Sequence, residues 1–237
     1  MSVESSVDRL LRRIYVAVPV TFASASVALF AAGWPRWWRY LAPEESPMTW
    51  LQSVVLALCC AVAGLAAAQF WLLGRGSTPY LLLGGGFAWL ALDERFTIHE
   101  RVRDNILAPR GIRAPLLTWV GPGDFILLAY AVVGLFVLWR VIPVLREVPR
   151  ARMLFLAGVL CAAVAVGADS IDPARYSVSG ERLEQTVEEV VELTSGVLFL
   201  LAMVTVHIRL WGRQPPADRG QVLDRRRKAG ATARPAT

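Results

Sequence analysis

Six long apolar runs divide the sequence, and charged, proline or glycine residues separate them. They cover residues 14–33, 50–73, 80–99, 125–142, 153–172 and 190–211. A helix needs roughly 20 residues to cross the hydrocarbon core of a bilayer, so the runs have about the required length. The pattern predicts an all-α, polytopic membrane protein with six transmembrane helices in a bundle.

Acidic residues gather at the ends of three of these runs. The third run closes with Asp93, Glu94 and Glu100, the fifth closes with Asp169 and Asp172, and the sixth opens with Glu188, Glu189 and Glu192. Helices that cross in alternating directions bring these three ends to one side. Because charges at membrane depth are costly and are retained mainly at functional sites, a convergent set of carboxylates is a site hypothesis.

On a helical wheel the acids of the third and sixth runs form two stripes. The stripe on the third helix and its extension comprises Asp93, Thr97, Glu100 and Asp104. The stripe on the sixth helix comprises Glu181, Glu184, Gln185, Glu188, Glu192 and Ser195. We expect the two stripes to face each other. Stacked like charges cannot all stay ionised, so cations, arginines or protons must lie between them.

Composition and arginine placement set the class and the orientation. The chain is 55% hydrophobic and 19% charged, with a mean hydropathy of +0.47, which is too apolar for a soluble domain of 237 residues. Most of its 25 basic residues lie before the first run or after the second, fourth and sixth runs. Since basic residues favour cytoplasmic segments, we predict that both termini are cytoplasmic and the carboxylates extracytoplasmic. The expected location is the cell membrane, as a multi-pass protein of the bacterial inner membrane.

The runs divide the chain into a transmembrane domain, residues 1–212, and a basic tail, residues 213–237. The first run could also be a signal peptide, but it is longer than a usual signal sequence core. The tail is rich in proline, alanine and arginine. We expect it to be disordered, cytoplasmic and attracted to anionic lipid headgroups by about 1 kcal/mol per charge. Membrane lipids are the expected partners, and nucleic acid is not, because the sequence has no recognisable binding module for it.

Polar residues before the runs predict where helices begin. Ser46 followed by Pro47 is typical of an N-cap and a first helical position, so the second helix should start there. Asp124 is the expected N-cap of the fourth helix, and Ser179 or Gly180 should start the sixth.

The acids and one histidine together have the composition of a hard metal site. The expected metal ligands are Asp93, His99, Glu100, Asp169 and Glu192. A set of oxygen donors with a single imidazole suits magnesium, manganese, calcium or non-haem iron better than zinc. Glu188 and Glu189 are then the expected catalytic bases, which would activate a water molecule.

Three classes of function fit these features. The first is a metal-dependent, membrane-embedded hydrolase that acts on a lipid or lipid-linked substrate at the outer face. The second is a small proton- or cation-coupled transporter, in which Asp93, Asp169 and Glu192 bind the transported ion. The third is a non-enzymatic assembly subunit, in which arginines neutralise the acids in an ion-pair network. No nucleophile, phosphate-binding or redox motif in the sequence separates the three classes.

Overall fold

The computed structural model describes residues 3–43, 45–113, 123, 125–169 and 177–212. Within these residues the chain is helical and contains no strand. The helices are α1 (Val3–Gly33), α2 (Trp38–Leu41), α3 (Pro47–Leu72), α4 (Thr78–Phe96), α5 (Ile98–Val102), α6 (Phe125–Leu145), α7 (Pro149–Asp169) and α8 (Val178–Gly212). A π-helical turn, Arg103–Leu107, and a 3₁₀ turn, Ala108–Arg110, follow α5.

Each apolar run forms a helix, which confirms the all-α prediction. Five of the described helices, α1, α3, α6, α7 and α8, are long and apolar enough to cross a membrane. The remaining long helix, α4, has 19 residues and carries Asp93, Glu94 and Arg95 near its end, so its apolar part is shorter. Asp124, Asp172 and the tail at residues 213–237 lie outside the described residues.

The caps explain where two of the helices begin. Ser46 precedes α3, and its hydroxyl accepts hydrogen bonds from the backbone N–H groups of Met48 and Thr49 at 3.1 and 3.4 Å. Pro47 occupies the first helical position, so the predicted start of this helix is confirmed. The last helix begins slightly before the predicted residues, because Ser177 Oγ accepts the N–H of Gly180 at 3.2 Å.

Helix α4, which carries Asp93 and Glu94, ends earlier than the sequence predicts. Its last residue is Phe96, and Thr97 has a left-handed backbone with φ of 47°. A β-branched residue rarely adopts this conformation, and it stops the helix. The predicted single stripe of Asp93, Thr97, Glu100 and Asp104 is therefore wrong, because the helix is interrupted between Asp93 and Glu100.

Five helices contact one another in a closed ring. Helix α3 packs against α4 and α8, α7 packs against α8, and α6 contacts both α4 and α7. Helix α1 lies outside the ring and packs on α8, where the hydroxyl groups of Tyr15 and Thr205 are 2.8 Å apart. The buried core follows α3 and α8, so these two helices form the centre of the fold.

Small residues allow the helices of the ring to approach closely. A methyl group at Gly196 of α8 would lie 2.9 Å from Val55 of α3. On the other side of α8, a methyl group at Gly158 of α7 would lie 2.9 Å from the Phe199 ring. The Ser195 hydroxyl donates to the carbonyl oxygen of Gly158 at 2.9 Å. Close packing of small residues with a polar bond between helices is typical of membrane bundles.

The two ends of the bundle differ in charge. At one end, Arg75 after α3 pairs with Glu147 after α6 at 2.7 Å, and Arg209 of α8 pairs with Asp8 of α1. We call this the basic end. At the opposite end, which we call the acidic end, α3 and α8 begin and α4 and α7 finish. The helix ends that the alternating topology assigns to one side, those of α4, α7 and α8, therefore lie at the same end of the bundle.

We expect the substitution Gly158→Ala to lower the thermal stability of the purified protein in detergent. The added methyl group would crowd the Phe199 ring, and overpacking of this kind costs about 1–3 kcal/mol. The matched control is Gly167→Ala on the same helix, where no described atom lies within 4 Å of the new methyl group. Both substitutions carry the same gain in helix propensity. Equal melting temperatures for the two variants would contradict the close packing of α7 on α8.

Candidate functional site

Three glutamates from two helices meet at the acidic end. Glu94 lies in the last turn of α4, and Glu189 and Glu192 lie one turn apart on α8. One carboxylate oxygen of each glutamate lies within 4.8 Å of the other two. Glu189 is only 7% exposed, and the other two side chains are half-buried. Carboxylates this close repel one another strongly, so the group requires a positive counter-charge or protons.

Helix α3 lies between α4 and α8 and contributes a fourth polar side chain. Gln52 is 3% exposed and lies one turn before Val55, where α3 touches α8. Its Nε2 donates to the carbonyl oxygen of Glu189 at 2.8 Å and to Oε2 of Glu192 at 3.3 Å. The amide therefore fixes the Glu192 carboxylate relative to α3. We call Gln52, Glu94, Glu189 and Glu192 the oxygen cluster.

Two buried oxygens of the oxygen cluster have no hydrogen-bond partner. They are Oε1 of Gln52 and Oε2 of Glu189. In the part of the chain that the structure describes, no arginine or lysine forms an ion pair with Glu94 or Glu189. An unsatisfied buried acceptor costs about 1–3 kcal/mol, and more when it is charged. The cluster is therefore a local source of instability in the free protein.

Asp93, the neighbour of Glu94, has different partners. It is 5% exposed, and its Oδ1 accepts the backbone N–H of His99 at 2.8 Å and the Tyr130 hydroxyl at 3.4 Å. Its Oδ2 lies 2.8 Å from Nδ1 of the same histidine. The left-handed turn at Thr97 makes these bonds possible, because it folds the start of α5 back towards the end of α4. Asp93 thus orients the His99 ring and links the end of α4 to the start of α5.

Other acids at this end are paired with arginines. Arg103 contacts Glu100 at 2.9 Å and Asp104 at 2.7 Å. Arg101 contacts Glu45 at 2.9 Å. Ion pairs of the kind that the sequence left open as an alternative therefore exist, but among the described residues they involve Glu45 and the acids beyond the Thr97 break and do not include Glu94 or Glu189.

An aromatic layer closes the ring below the oxygen cluster. The ring of Phe199 on α8 lies 5.5 Å from that of Phe87 on α4 and 5.0 Å from that of Phe155 on α7. Phe87 and Phe199 are each two turns, or about 10 Å, from the nearest glutamate of the cluster, in the direction of the basic end. We call these three side chains the aromatic floor. It separates the cluster from the basic half of the bundle.

The structure divides the residues that the sequence grouped into one site. The predicted ligand Glu192 and the predicted base Glu189 lie together in the oxygen cluster. The predicted ligands Asp93 and His99 bind each other. Glu100, also a predicted ligand, pairs with Arg103.

Two further predicted residues have less defined surroundings. Glu188, the other predicted base, is half-buried beside Glu189 on α8. Asp169 ends α7, but its side chain lies outside the described part of the chain. The catalytic and metal-binding roles of all seven residues stay predictions.

The sequence placed Glu94 among the convergent acids without a ligand or catalytic role, and it did not predict Gln52 as a site residue at all. The wheel selected Asp93, and Glu94 points about 100° away from it on the same helix. Gln52 could have been found, because it is an uncharged polar residue within the apolar run 50–73 and would have to be satisfied inside the membrane.

Comparison with known proteins identifies a family but no reaction. No curated protein and no solved structure matches this chain. A family model, described as a domain of unknown function (DUF8692), matches residues 6–207 and so includes every residue of the oxygen cluster. Because the match covers most of the 237 residues, the protein belongs to the DUF8692 family.

Proposed function

We propose that this protein is a membrane-embedded hydrolase that acts on a lipid or lipid-linked substrate at the outer leaflet, with the oxygen cluster as its active centre. In this proposal all six long helices cross the cell membrane and both termini are cytoplasmic. The acidic end is then extracytoplasmic.

The observation that carries the proposal is the position of unpaired carboxylates above a closed floor. Among the described residues, no arginine pairs with Glu94 or Glu189, which in this proposal lie at the edge of the membrane, where such groups are costly and mark sites. The rings of the aromatic floor pack on one another below them. A substrate could therefore reach the cluster from the acidic end, which favours chemistry at one leaflet.

The residues around the cluster suit the hydrolysis of an ester or phosphoester. Such a reaction needs a water molecule that loses a proton to a nearby base as it attacks the substrate. Glu188 is the proposed base, since it is adjacent to the cluster on α8 and half-buried. Trp89 and Tyr130, whose rings are 6.2 Å apart, lie near Asp93 and offer an amphipathic surface of the kind that occurs at the membrane interface.

A carrier would require a route between the two ends of the ring. The aromatic floor and the contact of Val55 with Gly196 lie across that route. A carrier therefore requires the helices of the ring to separate, whereas a hydrolase works with the ring as it stands.

The proposed orientation predicts which engineered cysteines react from outside the cell. We expect Gly180→Cys, at the acidic end, to be labelled by a membrane-impermeant maleimide in intact cells. Gly76→Cys, at the basic end, should be labelled only after permeabilisation, because its loop is cytoplasmic in this arrangement. The unsubstituted protein gives the background labelling of the native cysteines Cys59, Cys60 and Cys161. The opposite labelling pattern would contradict the proposed orientation and show that the cluster faces the cytoplasm.

The proposed activity predicts that the protein consumes a lipid. Proteoliposomes prepared with a total lipid extract should lose one lipid or lipid-linked species, and mass spectrometry should detect a released water-soluble group or fatty acid. We expect Glu189→Gln to slow this reaction at least about a hundredfold, as the loss of a group that acts in proton transfer or binding commonly does.

Glu45→Gln is the matched control, since Glu45 is an exposed acid at the same end that pairs with Arg101. It should leave the rate unchanged. If the parent protein consumes no lipid but takes up ions into the liposomes, the carrier class replaces the hydrolase.

A further inference from the structure

We propose that the oxygen cluster holds one hard divalent cation, with oxygens of Glu94, Glu189 and Glu192 and Oε1 of Gln52 as its protein ligands. This ligand set differs from the set that the sequence predicts, since it excludes His99 and Glu100. The use of the ion in hydrolysis rests on the proposed function, but the binding itself does not.

The hydrogen bonding of the Gln52 amide indicates a positively charged ligand. Its amide is held against the cluster by the bond from Nε2 to Glu192. Oε1 is attached to the same carbon as Nε2, is buried and has no donor. The side chain is 3% exposed, so solvent does not supply the missing partner. An acceptor in this position is satisfied by a cation that the neighbouring carboxylates also bind.

The spacing of the carboxylates fits a cation of ordinary size. Ligands on opposite sides of an ion are separated by twice the metal–oxygen distance, which is about 4.1 Å for Mg²⁺ and about 4.6–5.2 Å for Ca²⁺. The three carboxylate oxygens lie within 4.8 Å of one another. One ion can therefore contact all three with little movement of α4 and α8.

A shared proton explains the same geometry less well. Carboxyl groups that share a proton approach to about 2.5–2.7 Å between oxygens. Oε2 of Glu189 and Oε1 of Gln52 both lack a donor in the described part of the chain. A cation satisfies both oxygens, whereas a proton shared by two carboxylates leaves Oε1 of Gln52 without a donor.

The chemistry of the donors selects the class of cation. Carboxylate and amide oxygens suit Mg²⁺, Mn²⁺ and Ca²⁺, whereas Zn²⁺ favours histidine and cysteine. His99, the histidine at this end, is bonded to Asp93. Four protein oxygens leave coordination positions for water or for an oxygen of the substrate, which is the arrangement that a hydrolase needs.

We would test the inference with Mn²⁺, which has this ligand preference and can be followed by electron paramagnetic resonance. The purified full-length protein in detergent should bind about one Mn²⁺ per chain, and Mg²⁺ or Ca²⁺ should displace it. Glu94→Gln, Glu189→Gln and Gln52→Leu should each raise the Kd for Mn²⁺ at least about tenfold. Glu45→Gln should leave the Kd unchanged.

Thermal unfolding in the same detergent separates lost binding from lost folding. In buffer with a chelator, Glu189→Gln should melt at or above the temperature of the parent, because it removes one of three adjacent like charges. Added Mn²⁺ should raise the melting temperature of the parent but not that of the variant.

Either of two results would overturn the inference: a parent that binds no stoichiometric Mn²⁺, or variants that bind it as tightly as the parent does. Binding of Mn²⁺ without lipid turnover would support the cation site and contradict the proposed hydrolase activity. Turnover that persists in a chelator would support the hydrolase and show that the bound ion takes no part in the reaction.

Discussion

The contact between α3 and α8 is the interaction on which the rest of the structure depends. The two helices run in the same direction and touch where Val55 meets Gly196. A side chain at Gly196 would push α3 away and would separate Gln52 from Glu192. Helix α4 packs on the other side of α3 and so reaches the same level with Glu94. The close contact of the Val55 side chain with Gly196 thus sets the position of all four polar side chains at the acidic end.

The acids at this end fall into two groups with different electrostatic solutions. Glu45, Glu100 and Asp104 are partly or fully exposed and lie beside arginines, an arrangement that contributes about 0–1 kcal/mol per pair. Glu94 and Glu189 belong to the cluster between the helices, and no arginine in the described part of the chain pairs with them. If charge balance were the only requirement, arginines could pair with these two residues as they do with the outer acids. The contrast supports the proposal that the oxygen cluster has a functional role, whereas the paired acids stabilise the contacts between the segments at this end.

The lengths of the apolar runs were sufficient to predict the helices. They do not show which residues come together in the oxygen cluster. Apolar run length predicted six helices, and Ser46 with Pro47 predicted the start of α3, because both signals are local. Membership of the cluster depends on which face of α4 meets α8 and on the break at Thr97. Those properties come from packing against α3 and from a backbone conformation that threonine seldom adopts. Gln52 was missed for the same reason, since its partners are more than 130 residues away in the chain.

The contacts between the first and last long helices determine the order of assembly during synthesis. Tyr15 and Asp8 of α1 contact Thr205 and Arg209 of α8, so these bonds can form only after α8 has been synthesised. Earlier helices insert individually, but α3 has no α8 to pack against until then. Because α8 also supplies two of the three carboxylates, the charged site forms only after α8 has joined the bundle. The nascent bundle is therefore spared the repulsion between these acids until the helices that restrain them are in place.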